Sequence, residues 1–93
     1  GSLDLSGNPK LRILNCNGST KSGYGTLSTI NLSYTPNLET LNLKNNKLTE
    51  INVSNLVKLT ELDLSGNPGA NFKIPSAIFN NLTTTKNKGV EAE

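Results

Sequence analysis

Histidine, tryptophan and methionine are absent from this chain of 93 residues, cysteine occurs once, and two tyrosines and two phenylalanines are its only aromatics. Each shortage removes a class of chemistry. Without an imidazole, Cys16 has no side-chain base to raise its nucleophilicity, which excludes Cys/His and Ser/His catalysis. A single thiol cannot close an internal disulfide, so cysteine usage leaves the redox compartment open. No stretch of about 20 apolar residues could span a membrane, and no secretory hydrophobic region is present. Charge of either sign is sparse and scattered: nine Lys and Arg against seven Asp and Glu leave a net charge of +2. Nucleic-acid binding calls for a basic stripe with aromatics to stack on bases, and the sequence has neither. A glycine-rich phosphate loop with its lysine is also missing.

Leucine and asparagine are abundant, at 15 each. They recur in one pattern, met six times: apolar, two residues, apolar, one residue, apolar, and usually Asn three residues on. The clearest copies are Leu38, Leu41, Leu43, Asn46 and Leu59, Leu62, Leu64, Asn67. Between them lies a period of 21 residues, 38–58, whose second half repeats the spacing as Leu48, Ile51, Val53, Leu56. Leu11, Leu14, Cys16 and then Leu27, Ile30, Leu32, Thr35 are the two halves of the period before. Leu3, Leu5, Asn8 reads as a half copy without its partner. A fixed period of this length marks a solenoid whose units bury a face only by stacking on their neighbours.

The side-chain directions follow from the extended backbone. Alternation sends Leu41 and Leu43 inward and Thr40, Asn42 and Lys44 outward, and stacked copies would pair as a parallel sheet. The bend after each strand buries backbone amides, and an unpaired one costs about 1–3 kcal/mol. An Asn carboxamide inside the coil meets that demand, so Asn8, Asn46 and Asn67 are expected to form a structural ladder. Ser19 falls where the ladder Asn of 11–37 should be. Cys16 takes the slot of Leu43 and Leu64, which makes it an apolar filler. Beyond Asn67 the spacing loosens through residues 69–73. Pro75 then stands at the start of a short expected helix, with Ile74, Ile78 and Leu82 on one stripe. Thr85 and Asn87 occupy leucine slots and would end the array, and 84–93 is expected to fray.

These residues resemble the leucine-rich repeat family, whose motif LxxLxLxxN is met in full by LETLNLKNN (38–46) and LTELDLSGN (59–67). The 21-residue period, the LDLSGNP string and the cysteine in LRILNC (11–16) look most like repeats of bacterial secreted and surface proteins, including internalin-like ones. The resemblance implies an α/β solenoid, mostly strand and loop, with a short parallel β-sheet on its concave face and a short C-terminal helix. It implies one domain over 1–93, divided as a half repeat 1–10, a repeat with an insertion 11–37, a repeat 38–58, a terminal repeat 59–82 and a failed repeat or tail 83–93. Starting inside a repeat, the chain reads as a fragment or a trimmed mature chain.

Function is then expected from surface, without catalysis, metal or cofactor. DLSGN (Asp4 to Asn8 and Asp63 to Asn67) has the oxygens of a calcium loop, but its Leu must point inward. Glu61 and Asp63 lie on a regular outer face where no acid and base pair is implied. Sequons at Asn17, Asn31, Asn52 and Asn81 are what an Asn-, Ser- and Thr-rich chain produces by chance. Family members usually bind protein partners on the concave face, where three outward columns are expected: Ile13, Thr40, Glu61; Asn15, Asn42, Asp63; and Asn17, Lys44, Ser65. No Trp, Tyr or Arg anchors them, so a solvated polar face is the competing expectation. The second candidate is the insertion 17–25, where Tyr24 stands between two glycines and either binds a partner or folds back over the rim. Tyr34 and Pro36, on the opposite turn, are expected to pack. The resemblance points to an extracellular or cell-surface bacterial protein-binding module. The alternative is a spacer or cap of a longer array, its partners further repeats of the same chain.

Overall fold

The computed structural model describes residues 2, 3, 5–17, 27–69, 72–83 and 88–93. Its elements in chain order are β1 (Ser2–Leu3), β2 (Ile13–Asn15), β3 (Thr29–Ile30), β4 (Thr40–Asn42), β5 (Glu61–Asp63), β6 (Phe72–Ile74), α1 (Ser76–Phe79) and β7 (Val90–Ala92). Strands of two or three residues alternate with tight turns, because each motif copy has only three consecutive positions free of turn duty.

All pairing among these strands is parallel. β2, β4 and β5 form one sheet, in which Leu14, Leu41 and Leu62 lie in register. Thr40 meets Glu61 at a separation of 21 residues, the period of the regular copies, whereas Arg12 meets Glu39 at 27 because the insertion intervenes. β1 pairs with β3, so first halves pair with first halves and second halves with second halves. Leu41, Leu43, Leu62 and Leu64 are at most 1% exposed, and the second-half residues Leu48, Val53 and Leu56 complete the same core. Leu14 and Cys16, on the edge strand, are only half-buried against it.

The second-half turns repeat atom for atom. Backbone amides of Asn8, Thr35 and Leu56 donate to the carbonyls of Leu5, Leu32 and Val53, and those of Leu11, Leu38 and Leu59 close the following turn onto Asn8, Thr35 and Leu56. This equivalence corrects the expected ladder. Asn8 lies in the column of Thr35 and Leu56, away from Asn46 and Asn67, and it is exposed. The β1–β3 register decides this, because Leu3 beside Ile30 carries Asn8 to the level of Thr35.

The region after Asn67 holds another copy that the spacing concealed. Gly69 donates its amide to the Leu48 carbonyl, 3.1 Å away, and so stands in the slot of that leucine. A Cβ at 69 would lie 2.6 Å from the Phe72 ring, so the large ring fills the volume that the glycine leaves. Phe72 and Ile74 are buried, in the places of Ile51 and Val53 one period earlier. The helix follows as expected from Pro75, which precedes Ser76 in an extended conformation, and it buries Ile78; Leu82 is buried just beyond it.

The expected fraying of 84–93 is corrected for its last six residues; 84–87, with Thr85 and Asn87, lie outside the described residues. Lys88 bridges to Asp63, and β7 lies in register on β6 with Val90 beside Phe72 and Ala92 beside Ile74. The reason is local. Gly89 takes φ +74°, and a Cβ there would sit 2.7 Å from the backbone of Leu64 and Ser65, so only glycine lets the chain cross this closely. A Lys73–Glu91 ion pair of 2.9 Å spans the two strands outside.

Candidate functional site

The parallel register brings two of the three expected columns together on the strand face. Ile13, Thr40 and Glu61 are direct neighbours, as are Asn15, Asn42 and Asp63. Ile13 and Asn15, on the edge strand, are exposed, while Thr40, Glu61, Asn42 and Asp63 are half-buried between neighbours. Asn17, Lys44 and Ser65 follow the strands in the third position, Asn17 exposed and the other two half-buried. Tyr24 and the rest of the insertion from 18, with Ser19, lie outside the described residues.

Several of these side chains are already engaged in their own turns. Asp63 Oδ1 accepts from the Ser65 amide at 3.0 Å and from the Ser65 hydroxyl at 2.6 Å, which closes an Asx turn. Asn42 Oδ1 accepts from the Lys44 amide at 3.2 Å in the same way. Thr40 Oγ1 points its hydroxyl at Glu61 Oε2, 3.5 Å away. What these bonds leave available outward is therefore the other Glu61 oxygen, one Asp63 oxygen, the Asn42 amide NH2 and the Lys44 ammonium.

A shallow groove of about 180 Å³ opens on this face between β4 and β5. Thr40, Asn42, Glu61 and Asp63 line it, over the backbone of Leu41 and Leu62, and Lys88 closes one side. Lys88 was missed in the sequence because the tail shows no leucine spacing; Gly89 followed by the apolar Val90 is the one signal that could have located it. A second hollow of about 330 Å³, lined by Thr29, Ile30, Glu50, Ile51 and Asn52, lies among the second-half copies and was equally unforeseen. Sequence spacing gives no account of a gap between strands.

Beneath the face the carboxamides work as expected for Asn46 and Asn67. Asn46 Nδ2 donates to Leu43 O at 3.0 Å and across to Cys16 O at 2.8 Å, while its Oδ1 accepts from the Leu27 amide at 3.3 Å. Asn67 does the same with Leu64 O and Leu43 O, both at 3.0 Å, and with the Leu48 amide at 3.0 Å. Two copies are thus held to the copies before them by the same two bonds, with a third inside each copy. Asn31 and Asn52, the sequon asparagines of the second halves, accept from the amides and hydroxyls of Ser33 and Ser54 and close Asx turns of their own.

Three described groups, Arg12, Cys16 and Glu39, are shifted from their ordinary ionisation ranges. Arg12 and Glu39 form an exposed ion pair at 2.8 Å. The hydrogen bond and charge of Arg12 hold the Glu39 carboxyl below the usual range, helped slightly by Lys58. Burial pushes the Cys16 thiol up, which lowers its thiolate fraction. Among the described residues no three His, Cys, Asp or Glu side chains gather as metal ligands, and no helix is long and apolar enough to cross a membrane.

The turns that lead into the strands hold one further correction. Tyr34 is 48% exposed and Pro36 is exposed, where packing was expected. The core-facing places of that turn belong to Leu32 and Thr35, so the residues between and after them point away.

A family model for leucine-rich repeats, in two copies, matches residues 36–85, more than half of the chain. No curated protein and no solved structure matches.

Proposed function

This chain belongs to the leucine-rich repeat family, and from that premise we propose that it is a non-catalytic protein-binding module of a secreted or cell-surface bacterial protein. Domains of this family generally mediate protein–protein interaction and are typically non-catalytic. In this reading the repeats form a solenoid of the 21-residue type, internalin-like in character, and the β2–β4–β5 sheet lies on its concave side. The partner is a protein that sits across Ile13, Thr40 and Glu61 and reaches the groove beside Lys88, with the Tyr24 loop as a second contact.

The observation that supports this reading best is the in-register strand face itself. Short parallel strands tied below by Asn46 and Asn67 give a platform whose outward groups are already placed, so little ordering entropy opposes a partner. Against it stands the spacer or cap reading, favoured by the way Asp63 and Asn42 are turned into their own bends.

Capture experiments separate the two. The immobilised chain, the face variant Ile13→Asp with Lys44→Glu, and the loop variant Tyr24→Ala are presented with a host-cell surface extract and with purified bacterial surface proteins. Binding supports the proposal if it saturates and is lost in the face variant, while circular dichroism stays unchanged. Identical capture by all three removes the strand face and the loop as binding sites, and none at saturating load supports the spacer.

A further inference from the structure

Three second-half turns stack beside one another ahead of the strands, at residues 5–10, 32–37 and 53–58. Asn37 Nδ2 reaches back to Pro9 O at 3.3 Å, Asn55 Nδ2 to Leu32 O at 3.0 Å, and Lys58 Nζ to Asn37 Oδ1 at 3.1 Å. Because the turns are equivalent, the residue that follows each closing carbonyl acceptor falls in one column: Pro9, Pro36, Val57. All three are exposed, Val57 by 64%, and Tyr34 lies 48% exposed on the middle turn. Proline at this place is ordinary turn chemistry, since it presets φ for the bend. Valine is not a turn residue; with the two prolines, and Tyr34 two residues before Pro36, it gives these turns an exposed apolar ridge.

The charge beside the ridge has one sign. Lys10 and Lys58 occupy the next column, and the three turns contain no acidic residue. Glu39, which also feels the charge of Lys58, is paired to Arg12 at 2.8 Å. An apolar ridge flanked by two lysines, neither of them in an ion pair among the described residues, is complementary to an anionic partner that brings apolar side chains.

We propose that this turn ridge is a docking surface, separate from the strand face, for an acidic extended segment of a partner protein. The segment sets an aliphatic or aromatic side chain against Val57, Pro36 and Tyr34 and its carboxylates toward Lys10 and Lys58. The dimensions suit a peptide better than a lipid surface. Neighbouring turns stand about one strand spacing apart, roughly 4.8 Å, so three turns span about 10 Å, the reach of three or four extended residues. Two lysines and one valine are few for membrane attachment, which draws on polybasic clusters and larger apolar insertions.

The test uses the full chain and a labelled twelve-residue peptide alternating Leu and Glu, followed by fluorescence anisotropy. Two control peptides carry Lys for Glu or Ser for Leu. The Lys10→Glu, Lys58→Glu double variant and Val57→Ser, both at exposed positions, are checked for fold by circular dichroism. The Leu/Glu peptide is expected to bind, each control peptide to bind more weakly, and the double charge reversal to weaken binding about tenfold or more. Ile13→Asp, on the strand face, is expected to bind like the parent. Equal binding of the Lys peptide, no effect of the ridge variants, or loss in Ile13→Asp would overturn the proposal. So would preferential binding to vesicles of phosphatidylserine and phosphatidylcholine, or self-association in sedimentation that the ridge variants abolish.

Discussion

The carboxamide of Asn67 donates to the carbonyl of Leu43 across 3.0 Å, joining two repeats through a side chain that its own repeat also uses. One Nδ2 group serves Leu43 O and Leu64 O together, and its Oδ1 receives the Leu48 amide.

Asn67→Ala should therefore cost about 2–4 kcal/mol of unfolding free energy, because it strands part-buried backbone groups as well as removing bonds. Urea denaturation measures it. Asn8→Ala, at an exposed position outside the ladder column, should stay within about 0.5 kcal/mol of the parent. Equal losses at the two positions would refute the two-column assignment.

Gly89→Ala should release the terminal strand. The positive φ alone costs a non-glycine residue about 1–2 kcal/mol, and the new Cβ would also press on the Leu64 and Ser65 backbone at 2.7 Å. Amide exchange should speed up at Phe72, which donates to Gly89 O, and at Glu93, which donates to Ile74 O, with Leu43 left protected. Gly7 has open space around its Cβ position, so Gly7→Ala should leave exchange and stability unchanged. Unaltered exchange at Phe72 in Gly89→Ala would mean that the crossing does not depend on glycine.

Burial and not hydrophobicity should set the outcome of adding a charge. Leu43→Asp places an unpaired carboxylate at a position of 0% exposure and should unfold the chain, a loss of about 4 kcal/mol or more. Ile13→Asp, 64% exposed, should melt near the parent in a thermal scan. The reverse order would put the strands in the wrong phase.

Acid should weaken the Arg12–Glu39 pair in a definable window. Glu39 has its folded pKa lowered, first by the Arg12 hydrogen bond, so its contribution is present above the ordinary glutamate range and lost as pH falls through the depressed folded value. Arg12 is shifted upward by the same partner and stays charged throughout the acidic and neutral range, so the pH dependence of the pair there is set by Glu39. Both groups are exposed, so the effect should be small and weakened by salt. Stability of Glu39→Gln should fall less steeply on acidification than that of the parent, as read from urea midpoints. Parallel curves would remove the pair from the acid response.

Much of the architecture is legible where apolar spacing is regular. Leu41, Leu43, Leu62 and Leu64 are inward because alternation admits no other phase once one face is buried. The copy at 69–74 was hidden because Gly69 replaces a leucine and the Phe72 ring supplies its volume, an exchange between two positions that a pattern of single slots does not register. The strand at 90–92 was hidden for a related reason: its few apolar atoms matter only once Phe72 and Ile74 present an edge to cover. Of the candidate face, the columns through Thr40 and Asn42 follow from the repeat, whereas Lys88 joins them only through the return of the tail.

The sequence by itself determined the period, the inward leucines, the two carboxamide rungs and the absence of an imidazole for catalysis, since these are local choices repeated at a fixed spacing. Tertiary structure alone decided which asparagines share a column, which turn residues stand exposed as a ridge, and how the C-terminal strand closes over Phe72 and Ile74. Those outcomes depend on register between segments far apart in the chain, and register is set by packing and backbone pairing that no single segment contains.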